Sequence, residues 1–187
     1  VVITSALRTP IGTYKGSLKN LSADKLGALA IKEAVHKSNL KSEQIDEVIM
    51  GHVLTSGLGQ NPARQASINA GIPVSKPAHI VNQVCGSGLR SIVSGFQSIK
   101  LEEDMIVVSG GQENMSRAPH ALFYRENKKL DESKLIDTMI NDGLIDSFNH
   151  YHMGVTAENV AEKFEISRDE QDNFALNSQK KNTRGYR

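Results

Sequence analysis

The sequence predicts an α/β fold, in which a sheet carries helices on its faces. Over residues 1–111, short apolar runs typical of buried strands alternate with segments of helical periodicity. Gly, Pro and Asn residues separate these segments and mark the loops between them. Such alternation favours a layered α/β architecture, with right-handed crossovers wherever neighbouring strands are parallel.

Four strands are predicted in this part of the chain, at residues 1–5, 47–53, 78–83 and 105–109. Each contains adjacent Val, Ile or Met residues, which are common in the interior of a sheet. A pair of glycines ends the last of them.

Three helices are predicted between the strands. Ser22 is the N-cap of the first, which extends to about residue 39. Pro62 fits the first turn of the second, which Gly71 closes. The third covers residues 86–100, and its apolar stripe consists of Leu89, Ile92, Val93, Phe96 and Ile99.

The character of the chain changes after Met115, where it becomes more polar and richer in loops. Helices are predicted there at residues 133–140, 156–164 and 167–181, the last opened by a Ser-x-x-Glu capping box. We interpret residues 1–115 as an α/β domain. Residues 116–187 are interpreted as an excursion that covers one end of the sheet and has no separate core.

Composition and charge argue against several classes of protein. The 22 Lys and Arg residues nearly balance the 21 Asp and Glu residues, and the net charge of +1 argues against a broad nucleic-acid surface. Cys85 is the single cysteine, so neither an intrachain disulfide nor a Cys-based zinc site is expected. The sequence shows no membrane-length apolar run and no signal-peptide pattern at its amino terminus. We therefore expect a cytoplasmic protein that binds neither nucleic acid nor membrane and holds no metal.

Cys85 lies in the segment NQVCGSG at residues 82–88, between a predicted strand and a predicted helix. The first N–H groups of a helix lack internal partners and, with the helix dipole, favour a thiolate, the nucleophilic form of cysteine. Gly86 and Gly88 allow a reacting carbonyl to approach the backbone, and the N–H of Cys85 itself can donate to a developing oxyanion. This pattern predicts a nucleophile elbow with sulfur in place of the serine hydroxyl.

Two interpretations of Cys85 stay open at this point. Free cysteines most often pack in the interior as small apolar residues. The strand–turn–helix context and the flanking glycines favour a nucleophile. Sequence spacing alone identifies no base for the sulfur.

Residues 82–88 closely resemble the nucleophile segment of the thiolases, the acetyl-CoA acetyltransferase family. The segment YHMGVTAEN at residues 151–159 resembles a loop of the short-chain, biosynthetic thiolases. Further segments are similar to this family and occur in its order, namely ALRTPIG at 6–12, GQNPARQA at 59–66 and GGQENMS at 110–116. The resemblance covers nearly the whole chain.

The resemblance implies a thiolase-type half with a mixed five-stranded sheet flanked by helices, followed by part of a CoA-binding loop domain. It also implies that Cys85 attacks an acyl-CoA and forms an acetyl-Cys intermediate. Two acetyl-CoA then give acetoacetyl-CoA and CoA, or the reverse thiolysis occurs. CoA is a substrate in this chemistry, so no separate cofactor is implied.

The same resemblance implies that Leu144, His152 and Met153 contact CoA, along its pantetheine and acyl end. Each residue also has a plainer interpretation. Leu144 can pack within a loop, Met153 can fill a core, and His150 with His152 is a weak pattern for a metal site because no third ligand is near in sequence.

A thiolase consists of two similar halves, and this chain resembles the first. The family's second half supplies the His that activates the nucleophile, a second Cys for proton transfer and a Gly-rich segment of the oxyanion hole. With one Cys and no Gly-His-Pro segment, the chain contains neither the activating His nor the second Cys. The alternative function is therefore a non-catalytic half-thiolase that associates or binds CoA weakly.

The family resemblance further implies a homo-oligomer, a tetramer built from dimers. Dimer contacts are expected at residues 60–66 and at the strand before Cys85. A half-thiolase alone is expected to expose an apolar patch that would otherwise be covered.

Overall fold

The computed structural model describes residues 1–125 and 131–185. The chain groups into two compact units, Val1–Gly143 and Leu144–Arg187. The predicted domain division after Met115 stays a prediction. Among the described residues, no helix has the length and apolar character needed to cross a bilayer.

The first unit alternates helices and strands in chain order. Its main elements are α1 (Ala23–Lys37), β1 (Glu47–Gly51), α2 (Pro62–Asn69), β2 (Ala78–Val81), α3 (Ser87–Lys100) and β3 (Val107–Gly111). They are followed by the short elements β4 (His120–Ala121), β5 (Ile136–Asp137) and α4 (Thr138–Gly143). The second unit contains α5 (Met153–Lys163) and α6 (Arg168–Gly185).

The main sheet is parallel, in the order β2-β1-β3. Met50 in the central strand pairs with Ile80 on one side and Gly110 on the other. The predicted α/β class, with helices flanking a sheet, is confirmed. The predicted count of five strands and their mixed direction are wrong for the described residues, where this sheet has three strands, all parallel.

Residues 1–5 account for part of this difference, because they form no strand. Val1, Val2 and Ile3 are exposed. This segment and β3 line one cavity of about 530 Å³, and no strand pairing joins them. An apolar run favours strand geometry, but a strand also needs a neighbour that accepts and donates its hydrogen bonds.

The hydrophobic core lies between the sheet and the pair α1 and α2. Val48 and Met50 point to this side from the central strand and are almost completely buried. The helices contribute the buried side chains of Ala28, Ile31, Val35, Ala63 and Ala66. The core therefore holds the central strand rigidly, with its carboxyl end directed toward the loops that follow it.

Helix α3 packs against the opposite face through small side chains. A Cβ built on Gly95 would lie 2.5 Å from the Ser109 hydroxyl oxygen. The buried Ser91 hydroxyl donates a hydrogen bond of 2.7 Å to the carbonyl oxygen of Gly110. Four residues of the predicted apolar stripe of α3 are left exposed, with exposed fractions of 69% at Leu89, 42% at Ile92, 37% at Val93 and 50% at Phe96.

The predicted helix at residues 133–140 is wrong in its first half. Residues there form a 3₁₀ turn and then β5, which pairs antiparallel with β4, and α4 begins only at Thr138. The Asp137 side chain accepts hydrogen bonds from the N–H groups of Met139 and Ile140, at 2.9 and 3.3 Å. Pairing with β4 and capping by Asp137 therefore override the helical pattern.

Helices α5 and α6 lie where the sequence predicts helices, at residues 156–164 and 167–181, although α5 begins three residues earlier. The carboxylate of Glu170 accepts hydrogen bonds of 2.8 Å from the backbone N–H and the hydroxyl of Ser167. In return the Glu170 N–H donates to the Ser167 hydroxyl at 3.3 Å. This reciprocal pattern is the capping box that the sequence predicts.

Candidate active site

Cys85 is exposed on a sharp turn between β2 and α3. The preceding residue, Val84, has φ of +48°. A β-branched residue in this region is strained, and such strain concentrates at functional turns. The turn therefore has the backbone character of the predicted nucleophile elbow.

Ser87 holds this turn together. Its hydroxyl donates a hydrogen bond of 2.6 Å to the carbonyl oxygen of Val84 and accepts one of 2.8 Å from the N–H of Gln83. Ser87 is itself almost completely buried. The side chain therefore fixes the backbone on both sides of Val84 and limits where the Cys85 sulfur can lie.

The N–H groups next to the sulfur are partly used by the turn. Gly86 donates to the carbonyl oxygen of Gln83 at 3.0 Å, and Ser87 donates to that of Val84 at 3.1 Å. Both groups are thus occupied. The proposed oxyanion donor at the N–H of Cys85 stays a prediction.

Glycines allow the close approach of the sheet to the first turn of α3. A Cβ built on Gly51 would lie 2.4 Å from the carbonyl carbon of Ser87, which no side chain could tolerate. A Cβ built on Gly88, in contrast, would meet no atom within 4 Å. The backbone at Gly88 thus borders open space, as an approaching carbonyl group would require.

A cavity of about 350 Å³ lies beside Cys85. The polar residues that line it include Ser87 in the turn and His52, Gln112 and Glu113, which follow β1 and β3. The carboxyl ends of neighbouring parallel strands meet at one edge of a sheet, which is where α/β proteins bind ligands. Cys85 therefore shares one cleft with His52, Gln112 and Glu113.

The three polar residues form a contact chain that sequence reasoning missed. The Gln112 amide nitrogen lies 3.2 Å from Nδ1 of His52. Nε2 of His52 lies 3.3 Å from Oε1 of Glu113. In the structure His52 directly follows β1, and Gln112 and Glu113 follow β3. A position at the carboxyl end of a parallel strand was the signal that could have found them.

Leu144, His152 and Met153 are brought together in the second unit by a short antiparallel turn. The N–H of Met153 donates to the carbonyl oxygen of Leu144 at 2.9 Å. Ile145 and His152 form an antiparallel bridge. The three predicted contact residues thus lie side by side, while Cys85 belongs to the first unit.

Asp146 closes this turn. Its carboxylate accepts hydrogen bonds from the N–H groups of Asn149 and Phe148, at 2.7 and 2.8 Å. The N–H of Asn149 and then that of Phe148 lower the pKa of Asp146 below its usual value. His150 has φ of +59°, which completes the reversal of the chain.

His152 also has a structural role that the sequence did not indicate. It is the N-cap of α5, and its Nδ1 accepts a hydrogen bond of 3.0 Å from the N–H of Gly154. Nε2 therefore carries the proton and faces outward as a donor. Both His152 and Met153 are exposed.

Within the described ranges, no group of three or more His, Cys, Asp or Glu side chains is arranged to hold a metal ion.

Comparison with known proteins places this architecture in a family. The profile of the "Thiolase, N-terminal domain" family matches residues 1–185. The chain is 53% identical over 180 residues to an acetyl-CoA acetyltransferase of Paracoccus denitrificans, and the match covers 96% of this chain and 46% of that protein. It is also 53% identical over 182 residues to an acetyl-CoA acetyltransferase of Cupriavidus necator, and this match covers 97% of this chain and 46% of that protein.

A mammalian relative shows a similar match. The "Acetyl-CoA acetyltransferase, cytosolic" of Rattus norvegicus is 50% identical over 179 residues, which is 96% of this chain and 45% of the rat protein. The chain thus spans about half the length of the curated relatives it matches. It belongs to the thiolase family and corresponds to the family's amino-terminal domain.

Proposed function

We propose that this polypeptide is the amino-terminal part of a short-chain thiolase and supplies the acyl-accepting cysteine. The observation that carries the proposal is the exposed Cys85 on a strained turn beside a cleft. Relatives named acetyl-CoA acetyltransferase support acetyl-CoA and CoA as substrates.

In the proposed first step, the Cys85 thiolate attacks the carbonyl carbon of acetyl-CoA. The new S–C bond forms as the bond to the CoA sulfur breaks, and CoA leaves as a thiol after it takes up a proton. In the second step, a base from the second half of a thiolase removes a proton from the methyl group of another acetyl-CoA, and the resulting carbanion attacks the carbonyl carbon of the acetyl-Cys. The new C–C bond forms as the bond to the Cys85 sulfur breaks, which gives acetoacetyl-CoA and restores the Cys85 thiolate. Thiolysis is the reverse of the two steps together.

The chain supplies only part of this chemistry. The family resemblance assigns the base for Cys85 and the proton-transfer Cys to the second half of a thiolase. We therefore propose that turnover requires a thiolase carboxy-terminal half in addition to this chain. CoA acts as substrate, and the proposed reaction uses no resident cofactor.

We propose that Leu144, His152 and Met153 contact the pantetheine and acyl end of CoA. Their adjacency on one turn supports this assignment, because a narrow, extended ligand arm would touch all three together. The outward Nε2–H of His152 offers a hydrogen-bond donor to a pantetheine carbonyl.

Association with further thiolase chains, as in a tetramer of dimers, is part of the proposal. The exposed stripe of α3 supports it, because an apolar surface of this kind marks an interaction site. β2 is an edge strand of the sheet and can accept a further strand. In the expected contact segment at residues 60–66, Ala63 and Ala66 are buried in the core. The side chains of Asn61, Arg64 and Gln65 in this segment donate hydrogen bonds to carbonyl groups of the chain itself.

The name of the rat relative supports a cytoplasmic location, which we include in the proposal.

Complementation tests the proposed activity. The chain is mixed with a separately produced carboxy-terminal half of the Paracoccus relative, and loss of acetoacetyl-CoA in the presence of CoA is followed. We expect turnover from the mixture, none from either half alone, and none when Cys85→Ser replaces the parent chain. A mixture that forms a complex but shows no turnover contradicts the proposal.

A non-catalytic association module is the second candidate, and the exposed stripe of α3 is the observation that favours it. No turnover after complementation, together with slow modification of Cys85 by iodoacetamide, would support this module.

A further inference from the structure

The Glu113 side chain braces the segment that follows β1. Its Oε2 accepts hydrogen bonds from the N–H groups of Val53 and Leu54, at 2.9 and 3.3 Å. Hydrogen bonds to an ionised carboxylate are stronger than those between neutral groups. A single side chain that follows β3 therefore fixes the loop that follows β1.

The other oxygen of Glu113 faces His52. Nε2 of His52 lies 3.3 Å from this Oε1, and the His52 side chain has an exposed fraction of 0% against 28% for Glu113. Among the described residues, neither Nε2 of His52 nor Oε1 of Glu113 has a hydrogen-bond partner of good geometry. The two N–H bonds to Oε2 therefore determine the position of the Glu113 carboxylate.

Both braced segments abut the turn that carries Cys85. Gly51 packs on the backbone of Ser87, and a Cβ built on Gly111 would lie 3.5 Å from the Cα of Gly88. A shift of one strand end relative to the other must therefore move the first turn of α3. The same segments and Cys85 line the cavity of about 350 Å³.

The opposite end of β1 carries a matched brace that does not line this cleft. The Asp46 Oδ2 accepts hydrogen bonds of 3.0 Å from the N–H groups of Met105 and Ile106. Asp46 thus ties the start of β1 to the start of β3 in the way that Glu113 ties their ends. It is not among the residues that line the cavity beside Cys85.

We propose that Glu113 is a positioning residue for Cys85, because its reach to Val53 and Leu54 sets the shape of the cleft beside the sulfur. The inference rests on the proposed function in one respect, since it assigns this cleft to the acyl group that Cys85 would carry. The residue acts through the loop it holds and does not itself touch the reacting atoms.

Two reciprocal variants test the inference. Glu113→Asp keeps the charge but shortens the side chain, so its carboxylate no longer reaches both N–H groups. Glu113→Gln keeps the reach and one acceptor oxygen but removes the charge. The measured quantity is the ratio of the rates at which a small reagent, iodoacetamide, and a bulky one, N-phenylmaleimide, modify Cys85 in the chain.

We expect Glu113→Asp to change this ratio by about threefold or more. Glu113→Gln and the matched control Asp46→Asn are expected to stay within about twofold of the parent. Hydrogen exchange at Val53 and Leu54 is expected to increase in Glu113→Asp alone, which tests the brace independently of the sulfur.

The inference is overturned if Glu113→Asp leaves the ratio unchanged, or if Asp46→Asn changes it equally. It is also overturned if Glu113→Gln changes the ratio and Glu113→Asp does not. Alkylation requires no acyl transfer, so failure of the proposed thiolase activity would leave these outcomes interpretable and separate.

Discussion

The Ser87 hydroxyl donates a hydrogen bond of 2.6 Å to the carbonyl oxygen of Val84, and this contact closes the turn that presents Cys85. The bond joins the first residue of α3 to a residue in a left-handed conformation. The exposed sulfur is therefore attached to a rigid backbone, although it lies in a loop.

Ser87→Ala is expected to loosen this turn. It leaves the N–H of Gln83 without its acceptor, at a cost of about 1–2 kcal/mol in the free energy of unfolding. The rate of Cys85 alkylation is expected to change with it. Ser98→Ala removes another buried hydroxyl, near the far end of α3, and is expected to lower stability without changing that rate. An equal change in both variants would show that the turn has no special role.

Val84→Gly is expected to relieve backbone strain. Glycine tolerates a positive φ, and Val84 is 48% exposed and loses little burial, so stability should stay equal or rise by up to about 1 kcal/mol. The added backbone freedom should make Cys85 react with an alkylating reagent at several rates instead of one. Glu102→Gly is the matched control, since Glu102 has φ of +62° at the other end of α3. Chemical denaturation and alkylation kinetics measure the two effects, and a control that alters Cys85 reactivity equally would refute the role of the turn.

The pH dependence of stability is expected to report on Asp46. The N–H groups of Met105 and then Ile106 lower the pKa of Asp46 below its usual 3.8, with a smaller contribution from Lys76. Since the pKa is lower in the folded state, the stabilisation is fully present above 3.8 and is lost as the pH falls through the lowered value.

Asp46→Asn should therefore lower the free energy of unfolding by about 1–2 kcal/mol at neutral pH and weaken its decline in acid. Urea denaturation at a series of pH values checks this prediction. The exposed Glu43→Gln, in the turn just before β1, is the control and should retain the acid dependence of the parent. An unchanged acid dependence in Asp46→Asn would contradict the assignment.

Asp146→Asn is expected to weaken the turn that aligns Leu144 with Met153. Its carboxylate holds the N–H groups of Asn149 and Phe148, and the lowered pKa of Asp146 means that this support is lost only as the pH falls through that lowered value. We expect several-fold weaker binding of CoA, measured by calorimetry at neutral pH. Asp142→Asn, which alters an exposed carboxylate before the turn, should bind as the parent does. Unaltered binding in Asp146→Asn would argue against CoA contacts on this turn.

Local pattern predicted the central elements well, because α1, β1, α2 and α3 combine clear periodicity with capping or turn residues. Pro62 and Gly71 bracket α2 as expected, and Gly71 has φ of +91°. The segment at residues 1–5 was mispredicted because a strand depends on a neighbour that local sequence does not reveal.

The site was predictable to the extent that it is local. The turn at Cys85, between β2 and α3, was predictable from the glycine spacing and from its place before a helix. The contacts of Glu113 with residues 52–54 depend on the order of parallel strands, which the sequence does not specify directly. The capping role of His152 was equally hidden, since histidine is an uncommon N-cap.

Transfer of an acetyl group to Cys85 is the most direct measure of the central claim. The chain, with the complementing carboxy-terminal half, is incubated briefly with acetyl-CoA, quenched in acid and analysed by intact mass and peptide mapping. We predict a single acetyl group on Cys85, removed by added CoA and absent from Cys85→Ser. Turnover that proceeds without acetylated Cys85, or that persists in Cys85→Ser, would contradict the account.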